Sequence, residues 1–242
     1  MLDQDSPLHR LPAGLRRRQK LMLDGIGISI DMATMSYARL QASLLAWTQG
    51  VVQGQPQPTA GAALIMMDAW MIIDAVNRLR ALVAATRGLK RGPAVVSFNR
   101  SVEGVETLRN AVQHLIGEVE ELEKNGHPLW GSLSWNYLES PATGTGSILL
   151  LVPGTVAVTE GLPMVNPLGR EVEIPIGLIT LTAAEVTVCL SDVLQAVERF
   201  AERLEHVAAT AFAALPADAA DQFVTLDLPF SSGSPPAAPT GT

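Results

Sequence analysis

Apolar residues recur every three or four positions in four stretches of the chain, a spacing that buries one side of an α-helix. The first stretch covers residues 19–49 and contains Leu40 and Leu44 at this spacing. Near its start, Gly25 and Gly27 weaken a helix, and the alternating isoleucines beside them fit a short strand equally well. The sequence therefore predicts a helix here whose beginning stays open.

Two further helices are predicted in the middle of the chain. The second covers residues 60–87, is apolar on nearly every side of its first half, and has Gly88 at the position of a C-terminal cap. After a loop, Asn99 or Ser101 can cap a third helix, which Gly126 ends. The third helix has the most regular apolar stripe of the four.

The pattern between the third and fourth helical stretches is different. We predict a loop that carries Trp130, Trp135 and Tyr137, followed by short apolar runs that proline and glycine separate. These runs are predicted strands at 148–152, 155–159, 170–174 and 178–182. A fourth helix over residues 183–214 then closes the bundle. The predicted fold class is mainly α: a four-helix bundle with a small β-hairpin insertion between the third and fourth long helices.

The same pattern suggests one domain with two irregular ends. Residues 1–16 are polar and are expected to form a flexible N-terminal segment. Residues 17–215 form the helical bundle domain, with the β insertion at about 146–182. Residues 216–242 form a low-complexity tail that we expect to be disordered.

Composition and charge restrict the classes of function. Of the 242 residues, 48% are hydrophobic and 17% charged, which is enough apolar surface for a folded core. A formal net charge of −7 argues against a protein that coats nucleic acid, although residues 78–100 contain six basic and no acidic residues. This run is either a local patch for nucleic acid or a solvated helix end and loop.

We expect a cytoplasmic protein with no membrane segment. The arginines at 16–18 precede an apolar stretch, but Asp24 and Asp31 interrupt it and no small-residue cleavage site follows. The most apolar window, residues 62–83, contains Asp68 and Asp74 and is predicted to be a central bundle helix. With Cys189 as its single cysteine, the chain can form no internal disulfide.

The third helix carries the residues that are candidates for chemistry, Arg109, Asn110 and His114. An arginine followed by a polar residue, three further positions and a histidine resembles the R-x4-6-H motif of HEPN ribonucleases, in the form with asparagine after the arginine. The resemblance covers the helical parts, roughly 20–125 and 183–214. It implies a helical bundle that cleaves RNA without a metal or another cofactor.

The residue types fit that chemistry. An imidazole titrates near neutral pH, so His114 can accept the proton of a ribose 2′-hydroxyl or return one to the leaving oxygen. A guanidinium can hold a phosphate through two hydrogen bonds, which makes Arg109 the candidate for charge stabilisation. Asn110 lies one turn before His114 and can orient the imidazole or bind a phosphate oxygen.

Helix geometry separates the two charged groups of the motif. At about 100° per residue, Arg109 and His114 lie roughly 140° apart around an ideal helix. Either the long arginine reaches around the helix, or two copies of the helix meet across a two-fold axis and form one site. The resemblance favours the second arrangement, because HEPN nucleases typically place their motifs in a dimer cleft. We therefore expect a homodimer.

Other interpretations of these residues stay open. Arg109 can pair with Glu106 or face solvent, and His114 can be a surface histidine beside Glu118. Asp68 and Asp74 can orient Arg109 from the second helix, but an ion pair between Asp74 and Arg78 on the same helix is at least an equal alternative.

The leading hypothesis is a metal-independent endoribonuclease, acting as a toxin or a phage-defence effector, with RNA as substrate and an antitoxin or regulatory protein as a further partner. The alternative is a non-catalytic helical module that binds RNA or a protein. The histidines and Cys189 show no metal-ligand spacing. A purely structural dimerisation domain is the third hypothesis.

Overall fold

The computed structural model describes residues 1–55, 59–86, 88–89, 92–113, 120, 123–124, 126–140, 145–154, 169–170 and 172–216. These parts of the chain form five helices and four strands. The helices are α1 (Arg17–Val52), α2 (Thr59–Ala85), α3 (Pro93–Ser101), α4 (Glu103–Gln113) and α5 (Leu190–Phe212). The strands are β1 (Ser132–Ser140), β2 (Thr145–Leu151), β3 (Ile176–Ala183) and β4 (Val186–Cys189).

Helices α1 and α2 form an antiparallel hairpin whose facing sides are apolar. Near one end of the hairpin, a Cβ atom on Gly25 would lie 3.0 Å from Leu82. Towards the other end, the guanidinium of Arg39 pairs with the buried carboxylate of Asp68 at 2.5 Å. Helix α1 is continuous through Gly25 and Gly27, so the alternative of a short strand there is wrong. The close approach of α2 gives glycine a packing role at Gly25.

Helix α2 is apolar and long enough to cross a membrane, but two features mark it as a core helix. Its residues Ile72, Val76 and Leu79 are fully buried within the protein. Its two acidic residues, Asp68 and Asp74, both pair with arginines of neighbouring helices. Such pairs would be costly to place in a bilayer without the rest of the protein around them.

The predicted third helix begins with α4 in the structure, and an additional helix, α3, precedes it. The prediction that Asn99 or Ser101 caps the third helix is wrong, because both residues lie within α3. Helix α3 includes Pro93–Phe98, which we predicted to be a loop, and begins with proline in its first turn. At Val102 the backbone leaves the helical conformation, with φ −118° and ψ 21°, and α4 starts at the next residue. Val102 and Val105 are both buried, so the break turns both helices towards the core.

The four strands form one antiparallel sheet in the order β2-β1-β3-β4. Leu133 on β1 is in register with Leu151 on β2 and Leu181 on β3, so apolar side chains line one face. On the same face, the indole nitrogen of Trp135 donates a hydrogen bond to the hydroxyl of Thr48 on α1 at 3.0 Å. This face therefore packs against the helices.

The core lies between this sheet face and the helices, and it is continuous. Helix α5 follows directly after β4 and contacts α1, α2, α3, β3 and β4. Residues 1–16 also contribute to the core, because Leu2, Leu8 and Leu11 are each at most 5% exposed. The backbone N–H of Leu2 is tied to α1 by a hydrogen bond of 2.9 Å to Asp31.

The predicted fold class is wrong, because the structure is an α+β fold and not a four-helix bundle with a small hairpin. Strands predicted at 148–152 and 178–182 overlap β2 and β3, but residues 172–174 form no strand and 155–159 lie outside the described residues. The error has a physical cause. The loop predicted around Trp135 is a strand with alternating apolar residues, and β4 has apolar spacing that also fits the start of a helix.

Candidate functional site

Arg109 lies on α4 where this helix packs against α2. Its side chain is about one third exposed, and its Nε is 3.3 Å from Oδ1 of Asp74 on α2. The bridge uses the Nε atom, so the two terminal nitrogens at the end of the fork are not part of it. In this arrangement the carboxylate fixes the direction of the guanidinium, and the end of the fork can accept a further anion.

Asp74 also pairs with an arginine of its own helix. Its second oxygen, Oδ2, lies 2.7 Å from Nη2 of Arg78, one turn further along α2. The two alternatives for Asp74 that the sequence leaves open thus occur together. Asp68 does not orient Arg109, because its buried carboxylate pairs with Arg39 and raises the pKa of that guanidinium through hydrogen bonds.

A second ion pair lies beside the first on the same two helices. Nη1 of Arg80 is 3.1 Å from Oε2 of Glu106. This is an ion-pair distance, but the N–H groups of Nη1 are not directed for a hydrogen bond. Glu106 is therefore engaged with Arg80, and the predicted alternative that Glu106 pairs with Arg109 is not what the structure shows. Arg78, Arg80 and Arg109 thus share the two carboxylates of Asp74 and Glu106, and Glu103 lies one turn before Glu106 on α4.

The structure says less about the other two motif residues, Asn110 and His114. Asn110 is exposed on α4, next to Arg109. His114 follows Gln113, the last residue of α4, and lies outside the described residues. The structure therefore brings Arg109 together with Asp74 and Arg78, and it leaves the geometry between Arg109 and His114 undescribed.

The basic run at 78–100 divides in the structure. Arg78 and Arg80 belong to the ion pairs of α2, and Arg100 is exposed on α3. Arg87, Lys90 and Arg91 lie outside the described residues. The patch that the sequence suggests is thus partly neutralised at its beginning.

Apolar side chains are exposed along the same side of α2. Leu64 and Met67 are 55% and 53% exposed, and Met67 precedes Asp74 by seven residues, which places both on one helical stripe. Trp130 is also exposed, and its carbonyl oxygen accepts a hydrogen bond of 3.2 Å from the indole of Trp70. We call the exposed side chains of Leu64 and Met67 the α2 apolar patch.

A second polar cluster joins α1, α5 and the segment before β3. The hydroxyl of Tyr37 donates to Glu173 at 3.0 Å and lies 2.7 Å from the hydroxyl of Ser191. Ser191 in turn accepts the backbone N–H of Ile179 at 3.0 Å. Burial raises the pKa of Tyr37 above its ordinary value, so this group stays protonated and serves as a structural connection.

The thiol of Cys189 has a raised pKa because it is buried, which disfavours the reactive thiolate. Among the residues that the structure describes, no three histidine, cysteine or carboxylate side chains are grouped closely enough to hold a metal ion. The ion pair between Arg80 and Glu106 was not predicted from the sequence. A helical-wheel projection would show on which side of its own helix each residue lies.

No known protein-family model matches this chain, and neither curated proteins nor solved structures include a significant match. The resemblance to HEPN nucleases therefore rests on the motif in the sequence.

Proposed function

We propose that this protein is a metal-independent endoribonuclease whose site contains Arg109, Asn110 and His114. In the proposed reaction, His114 accepts the proton of a ribose 2′-hydroxyl, and the 2′-oxygen attacks the adjacent phosphorus. The bond from phosphorus to the 5′-oxygen breaks, and His114 returns the proton to the leaving oxygen. The products are a 2′,3′-cyclic phosphate and a 5′-hydroxyl, and no metal or cofactor takes part.

The observation that carries this proposal is the bridge between Arg109 and Asp74. A guanidinium held through Nε, one third exposed and oriented before the reaction, can bind a phosphate without reorganisation in the transition state. Asn110, exposed beside Arg109, is proposed to bind a phosphate oxygen or to orient His114.

We also propose that the active form is a homodimer. The α2 apolar patch lies on the same helical stripe as Asp74, so a second copy that covers the patch would bring two Arg109 side chains to one cleft. Such a cleft removes the difficulty that positions five residues apart lie roughly 140° apart around an ideal helix. The proposed location is the cytoplasm, where a toxin or phage-defence effector with a regulatory partner would meet RNA.

Incubation of the purified protein with single-stranded RNA in EDTA tests the activity. We expect fragments that end in a 2′,3′-cyclic phosphate, and no cleavage of an RNA with 2′-deoxyribose at the cleaved position. Arg109→Ala should lower the rate about a hundredfold or more, and His114→Ala should lower it by a similar factor. Arg109→Lys should recover little, because an ammonium lacks the planar fork.

Arg100→Ala provides a matched control, because it removes one exposed arginine from the neighbouring helix α3. This variant should cleave at the wild-type rate. RNA binding without cleavage by the wild type would instead support the alternative function, a non-catalytic module for RNA. Cleavage that survives both Arg109→Ala and His114→Ala would contradict the proposed site.

A further inference from the structure

Helices α3 and α5 leave a groove of about 280 Å³ between them. Arg199 and Arg203 on α5 line one wall, one helical turn apart, and both side chains are exposed. The opposite wall carries the hydroxyl groups of Ser97 and Ser101 on α3. The Ser101 hydroxyl donates to the carbonyl of Ser97 at 3.1 Å, so the donors that line the groove are the two guanidinium groups and the hydroxyl of Ser97.

The two arginines of this groove differ from most others in the described chain. Six arginines there lie against a carboxylate, among them Arg39, Arg109 and Arg170. Arg199 and Arg203 make no ion pair and no side-chain hydrogen bond within the described residues, although Glu198 and Glu202 are on the same helix. No described carboxylate pairs with either guanidinium, so both can bind an anion from outside.

The floor of the groove decides which part of a nucleic acid it can bind. Phe98 and Phe200 stack there with ring centroids 4.6 Å apart, and both are at most 4% exposed. Rings that are already stacked and buried cannot stack on bases, so the groove offers contacts to phosphate groups and not to base edges. Binding in it should be independent of base sequence.

We infer that this groove binds the phosphodiester backbone of single-stranded RNA next to the proposed cleavage site. The inference rests on the proposed function for the identity of the ligand. Ser101 is the last residue of α3, and Arg109 lies on α4, which begins two residues later after the break at Val102. In this proposal, a strand that lies in the groove continues past the break to Arg109. Two arginines one turn apart neutralise two phosphates and position the strand, while the motif residues act on it.

The salt dependence of binding to a 2′-O-methyl RNA of about twelve nucleotides, measured by fluorescence anisotropy, tests this inference without cleavage. Each phosphate contact on a single strand contributes about 0.7 to the slope of log K against log salt. The double variant Arg199→Ala with Arg203→Ala should therefore lower the slope by about 1.4. When the salt concentration rises fourfold, the affinity of the wild type should therefore fall by a factor about seven times larger than the affinity of the double variant.

Arg17→Ala with Arg18→Ala is the matched control, because it removes the same charge from exposed positions at the start of α1. This control should keep the wild-type slope, as should the charge-conserving pair Arg199→Lys with Arg203→Lys. Equal slopes for the groove variant and the control would overturn the inference, as would failure of the wild type to bind this RNA. Thermal unfolding of each variant verifies that it is folded.

The same experiment separates the two proposals. If the wild type binds through Arg199 and Arg203 but cleaves no RNA, the groove stands and the proposed nuclease activity fails. If RNA is cleaved and the groove variant retains both the wild-type slope and the wild-type KM, the nuclease activity stands and the groove is not part of it.

Discussion

Single side chains connect distant parts of this chain, and Tyr37 is the best example. Its hydroxyl donates to Glu173, so the proton between Tyr37 and Ser191 must come from Ser191. One buried phenol thereby links α1, the segment before β3 and the first turn of α5. Such a group contributes to stability only while it keeps its proton.

Stability at alkaline pH should depend on Tyr37. Because burial raises the pKa of Tyr37 in the folded protein, the unfolded chain ionises first, at about pH 10, and the folded state holds the extra proton. Stability is therefore complete below pH 10 and falls as the pH rises above it, by up to about 1.4 kcal/mol per pH unit. Urea unfolding between pH 8 and 11 measures this dependence.

Tyr37→Phe should lower the free energy of unfolding by about 1 kcal/mol at pH 8, through the lost hydrogen bonds. Above pH 10 the difference from the wild type should shrink, because phenylalanine cannot ionise. Tyr137→Phe leaves the Tyr37 cluster intact and should keep the alkaline dependence of the wild type. A Tyr37→Phe variant with unchanged alkaline dependence would show that another group is responsible.

The turn before β1 packs closely against the neighbouring strand β3. The N–H of Gly131 bonds to the carbonyl of Pro128 at 2.9 Å, and Gly131 has φ +77°. A Cβ atom at this position would lie 2.3 Å from the carbonyl oxygen of Thr182 on β3. The turn therefore requires glycine for its backbone conformation and for its contact with the neighbouring strand.

Gly131→Ala should lower the free energy of unfolding by about 3 kcal/mol, from the left-handed backbone and the overlap with Thr182. Gly154 gives a matched comparison, because its φ is +107° but no atom lies within 4 Å of its Cβ position. Gly154→Ala should cost only about 1–2 kcal/mol. Chemical denaturation compares the two, and equal losses would mean that the contact with β3 contributes nothing.

The surface of the whole molecule is uneven in polarity. The chain is negative overall, yet the exposed α2 apolar patch lies on the same stripe of α2 as Asp74, the partner of Arg109. Contiguous exposed apolar residues on a folded protein typically mark an interface. In the dimer that we propose, a second copy of the chain covers this patch.

Sedimentation velocity tests the proposed dimer. The wild type should sediment as a dimer, and Leu64→Glu with Met67→Glu should sediment as a monomer, because four buried carboxylates would face one another across a two-fold axis. RNA cleavage should be lost together with the dimer. Ile28→Glu with Val207→Glu changes two equally exposed apolar residues elsewhere and should leave the dimer intact. A monomeric wild type that cleaves RNA would contradict a shared site.

The sequence by itself determined those features that depend on neighbours a few residues away. The helical period of 60–87 agrees with α2 closely, and the later part of the predicted fourth helix agrees with α5. The spacing of Arg109 and Asn110 before His114, and the candidate chemistry with it, is likewise a property of the linear chain.

Only the tertiary structure decided which distant groups meet. A fold of four paired strands depends on residues such as Leu133 and Leu181 being opposite each other, and no local period specifies that pairing. The break at Val102 follows from the burial of both helices that it joins. Asp74 meets Arg109 while Asp68 meets Arg39 because helix packing, and not sequence distance, brings carboxylate and guanidinium together.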